Sequence, residues 1–379
     1  VIGFYAFDGE AGGQVLNNFF NLSFGDTQGT VFTESVALYA DWTFDLNDRL
    51  SLDLGARYTD EDKRAKVLNR CYTSAAFTTL RDCTPTIPND DPAAANFDRT
   101  INFKNTSPKI ALNFDLSDDV MLYGLASRGF KSGGYNIRAQ ATLVPRSALP
   151  FDDEVVDSFE IGAKMGLLDQ RLFLNLAAFH NRYKDIQLSV FTANPAGGFF
   201  GDFTNAGRGT VQGLEAEYQW LAGGGFTVSG NLAWLDAEYD EFIFAGVNIA
   251  NEQEFTNAPE FSGAINLEWR TAVGDAGEIA ARLGYSYQSE VIATTEIIRS
   301  NVPPAAPFGR PPISQDGYGL VSAGVIWTSG GPWSVSLQGT NLTDEAYLTT
   351  GYNLAQALGV YTGFYGPPRQ YSLSVRYDF

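Results

Sequence analysis

The residues at the C-terminal end of the chain alternate strictly between apolar and polar side chains. From Gln370 to Phe379 every odd position is apolar or aromatic and every even position is polar. A period of two places successive side chains on opposite faces of a β-strand, so this segment is predicted to be a strand with one apolar and one wet face. The same alternation recurs at 50–58, 214–220, 261–270 and 278–288. The chain is therefore predicted to be all-β.

About fourteen strands are predicted along the chain, each close to or longer than the roughly nine to eleven residues with which a tilted strand crosses a membrane. They lie near residues 1–8, 31–44, 49–60, 100–114, 119–131, 154–167, 171–190, 203–220, 226–240, 255–270, 278–290, 317–328, 333–344 and 369–379.

The gaps between these strands alternate in length. Short gaps fall at 45–48, 115–118, 168–170, 221–225, 271–277 and 329–332, and long gaps such as 61–99, 132–153, 291–316 and 345–368 lie between them. Outer-membrane barrels combine short periplasmic turns with long external loops, whereas a soluble sandwich gives no reason for this alternation. The pattern predicts an antiparallel up-and-down transmembrane β-barrel whose last strand ends at the periplasm with Phe379.

Composition supports a barrel and excludes other classes. Aromatic residues make up 14% of the 379 residues and charged residues 18%, which is low against the roughly 25% of a globular chain. No stretch approaches the roughly 20 consecutive apolar residues of a membrane helix, so a helical membrane protein is excluded. A net charge of −19 argues against nucleic-acid binding, which needs a basic surface.

The polar faces of the predicted strands carry many charges, which would each cost several kcal/mol if they were buried without partners. The barrel interior is therefore expected to be wet or filled by something polar. These charges are Asp53, Arg57, Lys109, Glu160, Lys164, Glu215, Glu217, Glu268, Arg270, Glu278, Arg282 and Arg376. Aromatic residues near strand ends are interpreted as interfacial girdles, namely Trp42, Phe44, Trp220, Trp234, Trp269, Trp327 and Trp333.

The chain contains two cysteines and one histidine. Cys71 and Cys83 lie in a polar stretch, where an exported protein favours a loop disulfide, worth roughly 3 kcal/mol, over a metal site or free thiols. His180 lies at an even position of its predicted strand, as do the lipid-facing Leu172 and Leu174. It is therefore expected on the lipid-facing side at the membrane interface, rather than to act as the general base of a hydrolase. One His and two Cys do not make a closed zinc or haem site, and no cofactor is expected. The acidic residues of the predicted external loops are expected to be solvated, and calcium binding by them stays an alternative.

Six segments resemble one known family, the TonB-dependent outer-membrane receptors. They are VIGFYAFDGE (1–10), SRGFKSGGYN (127–136), residues 152–188, GLEAEYQW (213–220), NLTDEAY (341–347) and PRQYSLSVRYDF (368–379). The likeness covers essentially the whole chain in the order of the family. The terminal aromatic Phe379 is similar to the residue that the barrel-assembly machinery reads in many outer-membrane proteins.

The resemblance implies that residues 1–379 are the C-terminal part of a barrel of about 22 strands in a Gram-negative outer membrane. The chain opens inside a predicted strand at Val1, so the first strands, the plug domain and the box that contacts TonB are expected upstream. The implied function is TonB-energised uptake of a scarce bulky solute, most often a ferric siderophore. A passive pore, which uses roughly 16 to 18 strands, and an outer-membrane hydrolase are the alternatives. Expected partners are outer-membrane lipid and lipopolysaccharide, the TonB complex, the barrel-assembly machinery and a small-molecule or metal-chelate ligand.

Candidate contacts to the transported solute come from cations and aromatic residues of two predicted external loops. Arg and Tyr suit planar, anionic or hydroxylated ligands. The first loop contributes Arg128, Lys131, Tyr135 and Arg138, and the second contributes Tyr347, Tyr352 and Tyr361. The acidic overall balance favours a cationic or neutral solute, which conflicts with a strongly anionic ferric chelate.

Overall fold

The fold was analysed in a computed structural model that describes residues 1–16, 26–72, 80–82, 96–137, 139, 145–193, 199–205, 207–244, 247–294, 313–354 and 360–379. In these ranges no helix is long and apolar enough to cross a membrane.

In the part of the chain that the structure describes, fourteen strands follow one another in chain order across a single antiparallel sheet. They are β1 (Ile2–Leu16), β2 (Asp26–Asn47), β3 (Leu50–Tyr72), β4 (Phe97–Ser117), β5 (Val120–Lys131), β6 (Glu154–Leu167), β7 (Leu172–Lys184), β8 (Gly207–Gly223), β9 (Phe226–Phe244), β10 (Phe261–Ala272), β11 (Glu278–Gln288), β12 (Tyr318–Thr328), β13 (Trp333–Thr340) and β14 (Gln370–Tyr377). Each strand between the first and the last pairs with the strands before and after it, so the predicted up-and-down order and the number of about fourteen strands are confirmed.

Turns of two to five residues join every second pair of strands, and longer segments join the others, as the gap lengths predict. The short turn between β8 and β9 requires a backbone conformation that favours glycine. Gly223, Gly224 and Gly225 all have positive φ, at 87°, 61° and 82°. A Cβ on Gly225 would lie 2.1 Å from the carbonyl oxygen of Arg270, so only glycine fits there.

Several strands continue beyond the predicted ends on the side of the long loops. β3 runs to Tyr72, twelve residues past the predicted end at 60, and it pairs with β4 up to Val67 and Phe97. The apolar face of β3 ends at Tyr58 and is followed by charged residues, which are typical of a strand that leaves the membrane.

The prediction of one strand over 171–190 is wrong. β7 ends at Lys184, and Asp185 has a φ of +54°, which breaks the ladder. Residues Gln187–Ala193 then pair with Phe199–Asn205 as a separate hairpin, so the predicted strand at 203–220 begins only at Gly207 in the main sheet. The strand predicted at 255–270 begins only at Phe261. Phe255 lies before it in a loop, where it packs against buried apolar residues.

Two apolar clusters hold the long connections against the sheet. The first contains Ala65, Val67 and Phe97 with Ala139 and Ala148 from the connection after β5. The second contains Tyr239 and Phe242 of β9 with Ile186, Ile249 and Ala250. The ring of Tyr239 stacks on Phe255 at a centroid distance of 4.1 Å. Burial raises the pKa of Tyr239 to about 12.

Candidate functional site

The two faces of the sheet differ sharply in polarity. The register places Leu38, Tyr58 and Leu54 on one face, together with apolar residues of all the following strands, and large side chains there are well exposed, such as Leu232 at 60% and Ile161 at 66%. Three to six alternate positions per strand are apolar, which matches the lipid-facing band of roughly 25 Å in outer-membrane barrels. We call this the outward face and the opposite one the inward face.

Aromatic residues border the outward band, as the sequence predicts. On the side of the short turns, Phe226 and Trp269 pair across β9 and β10 with centroids 6.2 Å apart, and Trp333 and Tyr377 pair across β13 and β14 at 4.7 Å. Amphipathic rings at these positions suit a membrane–water interface.

The inward face carries the charges that the sequence predicts there, and in β10 and β11 they pair with each other. Arg282 Nε donates to Glu268 Oε2 at 2.6 Å, and Arg270 forms an ion pair with Glu278. The side chains of Glu268 and Arg282 remain 28% and 54% exposed. The face is therefore wet and internally compensated, and no buried charge stays without a partner in this network.

A polar pocket of about 360 Å³ lies on the inward face of β1, β2 and β3, towards the long loops. The guanidinium carbon of Arg57 lies 4.9 Å from the ring centroid of Tyr5, and Arg57 Nε donates to Thr59 Oγ1 at 3.1 Å. Lys63 Nζ lies 3.3 Å from Glu61 Oε1. Two cations, one carboxylate and an aromatic ring thus share one pocket, which can bind a planar ligand that is anionic or hydroxylated.

The connection after β5 folds over this part of the inward face. Lys63 Nζ donates to the carbonyl of Gly133 at 3.1 Å, and Asn69 Nδ2 donates to the carbonyl of Ala139 at 2.8 Å. A Cβ on Gly133 would lie 2.1 Å from the carbonyl oxygen of Phe151, so a glycine is required where the connection turns back. The loop therefore closes one side of the pocket.

The residues predicted to contact a solute are not brought together. Arg128 lies on the outward face, where its Nε donates to Asp157 Oδ1 at 2.6 Å. Lys131 ends β5, and its carbonyl accepts a bond from Gln187. Tyr135 packs against Phe97 with centroids 5.6 Å apart, and burial raises the pKa of its hydroxyl.

The remaining predicted contacts lie elsewhere. Tyr347 stacks on Tyr318 at 4.6 Å, while Tyr352 and Tyr361 are exposed on the hairpin formed by Leu348–Leu354 and Val360–Tyr365. Arg138 lies outside the described residues. A solute-binding role for this set stays a prediction.

The cysteine and histidine predictions have different outcomes. Cys71 lies in β3, but Cys83 is outside the described residues, so the disulfide stays a prediction. His180 is on the outward face, where its Nε2 accepts from Arg182 at 3.0 Å and its Nδ1 is 3.1 Å from Gln212 Oε1. These partners hold the ring as a polar link between strands. Among the described residues no group of three or more His, Cys, Asp or Glu side chains could hold a metal ion.

The pocket residues Tyr5 and Lys63 were missed by the sequence reasoning. Tyr5 lies far from Arg57 in the chain, and only the pairing of β1 with β2 and of β2 with β3 places it near that residue. Lys63 lies on β3 itself, six residues after Arg57 and on the same inward face. The inward parity of Arg57 was the one available signal.

Comparison with known proteins defines the class of protein. The family model for the TonB dependent receptor-like β-barrel matches residues 2–342. The chain belongs to this family. The family is one of outer-membrane receptors of Gram-negative bacteria, so the chain belongs to an outer-membrane protein of such a bacterium.

Sequence identity to individual curated proteins of known name is low. The chain is 23% identical to the pesticin receptor of Yersinia enterocolitica over 342 residues, which are 89% of this chain and 43% of that protein. It is 31% identical to the metal-pseudopaline receptor CntO of Pseudomonas aeruginosa over 160 residues, 42% of this chain and 20% of that protein. The chain thus spans less than half the length of these curated relatives.

Solved structures show the same fold. The ferric yersiniabactin uptake receptor FyuA from Yersinia pestis superimposes with a TM-score of 0.71 at 19% identity, over 93% of this chain and 47% of that one. The siderophore receptor PiuA from Acinetobacter baumannii gives a TM-score of 0.63 at 17% identity, over 93% and 44%.

Proposed function

We propose that the protein takes up a metal chelate, in particular a ferric siderophore, across the outer membrane with energy from TonB. Membership in the TonB-dependent receptor family carries this proposal. The metal-pseudopaline receptor CntO and the ferric-pyoverdine M114 receptor PbuA of a Pseudomonas species support this class of cargo by their names.

The inward pocket supports an anionic or hydroxylated cargo despite the net charge of −19. Arg57 and Lys63 outnumber the single carboxylate of Glu61 among the charged residues that line it. Charge that acts over a few ångströms dominates over the average charge of the protein, because ions screen interactions beyond about 10 Å. These two cations support an anionic ferric chelate as the cargo of an acidic chain.

The two ends of the sheet support a larger barrel. β1 and β14 are the outer strands of the order that the described residues form, and each pairs there with one neighbouring strand of the main sheet. A lipid-exposed strand edge leaves backbone groups without partners, each at a cost of several kcal/mol. We propose that residues 1–379 are the C-terminal part of a barrel of about 22 strands, closed by upstream strands around a plug.

The proposed partners follow from this architecture. TonB acts through the proposed upstream region, the barrel-assembly machinery recognises β14 with the aromatic Phe379 that follows it, and outer-membrane lipid with lipopolysaccharide surrounds the outward band.

The proposal is tested in the full-length protein by deleting the segment that contacts TonB. Binding of the ferric chelate to whole cells should persist, and its uptake should stop. A passive pore predicts that uptake continues at the original rate, and such a result would refute energised import. The metal-free chelate serves as the control, since the cargo is the metal complex.

A further inference from the structure

The pairing between β5 and β6 is interrupted where the connection after β5 begins and ends. Lys131 and Glu154 form the last pair of the two strands, and pairing resumes three residues further on, inside the connection. Residues 132–133 and 152–153 lie on opposite sides of this gap. Backbone carbonyls in such a gap need hydrogen-bond donors from outside the ladder.

The side chain of Gln187 supplies these donors. Its Nε2 lies 3.1 Å from the carbonyl oxygens of Lys131 and Ser132 and 3.0 Å from that of Asp152, so one amide bonds both sides of the gap. The backbone N–H of Gln187 donates to Glu154 Oε2 at 2.8 Å. Only an amide nitrogen can face three carbonyl oxygens in this way, because a carboxylate of the same size has no donor.

Asn205 lies directly opposite Gln187 in the separate hairpin and bonds the far end of the same connection. Its Nδ2 donates to the carbonyl of Asp152 at 3.0 Å, and the backbone N–H of Asp152 donates to Asn205 Oδ1 at 2.8 Å. The side-chain amide thus pairs with the backbone of Asp152 as a neighbouring strand would. We call Gln187 and Asn205 together the amide clamp.

The base of the hairpin that carries the amide clamp is itself fixed to the sheet. The backbone N–H of Ile186 donates to the carbonyl of Gly207 in β8 at 3.1 Å. The side chain of Ile186 is buried in the apolar cluster around Tyr239 of β9. Asn205 Nδ2 also donates to the carbonyl of Asp185 at 2.7 Å. The clamp therefore ties the connection to a support on β8 and β9.

The inward pocket begins next to the atoms that the clamp holds. Ser132, whose carbonyl accepts from Gln187, lines the pocket, and the carbonyl of Gly133 accepts from Lys63 Nζ at 3.1 Å. Lys63 Nζ also lies 3.3 Å from Glu61 Oε1, and the Lys63 side chain is 23% exposed. Two acceptors thus hold this ammonium group, and one of them belongs to the gap that the clamp bridges.

We propose that Gln187 and Asn205 are positioning residues for the inward pocket, because they hold the bend that brings the carbonyl of Gly133 to Lys63. Without the clamp the gap opens as a hinge, and the Lys63 ammonium loses one of its two acceptors. The hairpin thereby fixes a cation of a pocket that lies on other strands. The importance of this cation for the cargo rests on the proposed function, whereas the clamp itself does not.

The first measurement follows the backbone of the connection without any cargo. Hydrogen exchange of the amides of 132–136 is measured by mass spectrometry in the full-length receptor and in Gln187→Glu, which keeps the size of the side chain and removes its donors. We expect exchange about tenfold or more faster in the variant. Gln212→Glu is the matched control, because Gln212 also bridges side chains of neighbouring strands, but on the outward face. It should change the exchange of 132–136 by less than about twofold.

The second measurement follows the cation. Acetylation of Lys63 by a water-soluble N-hydroxysuccinimide ester should be about threefold or more faster in Gln187→Glu, because an ammonium group that has lost an acceptor is more accessible to the reagent. Lys104 on the outward face is the internal reference and should react at the wild-type rate. Asn205→Leu removes the other half of the clamp and should give the same two results.

Unchanged exchange of 132–136 in the clamp variants would overturn the proposal. Faster exchange with unchanged acetylation of Lys63 would also overturn it, since the clamp would then stabilise the connection without positioning the pocket. Faster exchange across 278–288 as well would show that the two amides support the whole sheet, which contradicts a local clamp. Neither readout uses a cargo, so failure of a ferric chelate to bind the receptor would count against the proposed function and leave these results in place.

Discussion

Arg57 on β3 reaches across β2 to the ring of Tyr5 on β1, with its guanidinium carbon 4.9 Å from the ring centroid. The contact is possible because Ala37, the residue of β2 that pairs with Tyr5, is small and only 3% exposed. The pair fixes a cation on the inward face, beside Lys63 and below the loop that Gly133 turns. This arrangement presents a cation and an aromatic ring on the inward face of the wall.

Removing this cation should weaken the binding of the ferric chelate. We expect Arg57→Gln to raise the Kd of the full-length receptor by about tenfold or more, since a charge-assisted contact contributes roughly 1.5 to 3 kcal/mol. Arg64→Gln is the matched control, because Arg64 also lies over an aromatic ring, at 5.4 Å from Phe32, but on the outward face. Isothermal titration measures both, and equal losses would exclude the inward pocket as the binding site.

The same substitution at two neighbouring residues of β9 should have a large effect on stability at one residue and a small effect at the other. Leu232 lies in the outward band, so Leu232→Lys should lower the free energy of unfolding by about 2 to 4 kcal/mol in a lipid bilayer. Asn231 faces inward, so Asn231→Lys should change it by less than about 1 kcal/mol. Denaturant unfolding in liposomes gives both values. Similar costs at the two positions would show that the faces are assigned wrongly.

The turn between β8 and β9 should tolerate a methyl group at one glycine and not at the other. Gly223 has a φ of +87°, and nothing lies within 4 Å of an added Cβ. Gly223→Ala should therefore lower the free energy of unfolding by only about 1 to 2 kcal/mol, the cost of a left-handed conformation for alanine. Gly225→Ala adds a collision with the carbonyl of Arg270 and should cost more. Thermal unfolding compares the two variants. A smaller loss for Gly225→Ala would contradict the described turn.

The ion pair between Arg64 and Asp98 should stabilise the outer ends of β3 and β4 in a pH-dependent way. The hydrogen bonds from Arg64 hold the pKa of Asp98 below its ordinary value of 3.8. A lowered carboxyl pKa contributes stability that is complete above the ordinary value and is lost as the pH falls through the pKa of the folded state. Hydrogen exchange of the amides of 61–70 should therefore be slower than in Asp98→Asn at neutral pH, and this difference should vanish in strong acid. A difference that persists there would contradict the ion-pair account.

Much of the sheet could be predicted from local alternation, and the failures have local physical causes. β6 has the predicted bounds, and apolar and polar positions alternate over most of it, from 158 to 167. Beyond Tyr58, β3 continues with charged outward residues, a pattern that sequence analysis reads as a loop although backbone pairing with β4 persists. The break at Asp185 depends on a single left-handed residue, which alternation does not reveal.

The inward pocket could be predicted only in part. Parity indicates that Arg57 faces inward, but the neighbours of Arg57 depend on the register of three strands and on a loop held by Lys63. For Arg128 the prediction relied on its place near the end of a strand, which suggested a contact in the loop. Its alternating position along the strand instead places it on the outward face, where it bonds to Asp157.

Uptake of siderophore-bound radioactive iron shows whether this wall belongs to an energised importer of metal chelates. Cells that express the full-length protein as their only receptor for the chelate are compared with and without functional TonB. The account predicts uptake that accumulates iron against its gradient and stops when TonB is absent. Uptake at the same rate in both strains would contradict it.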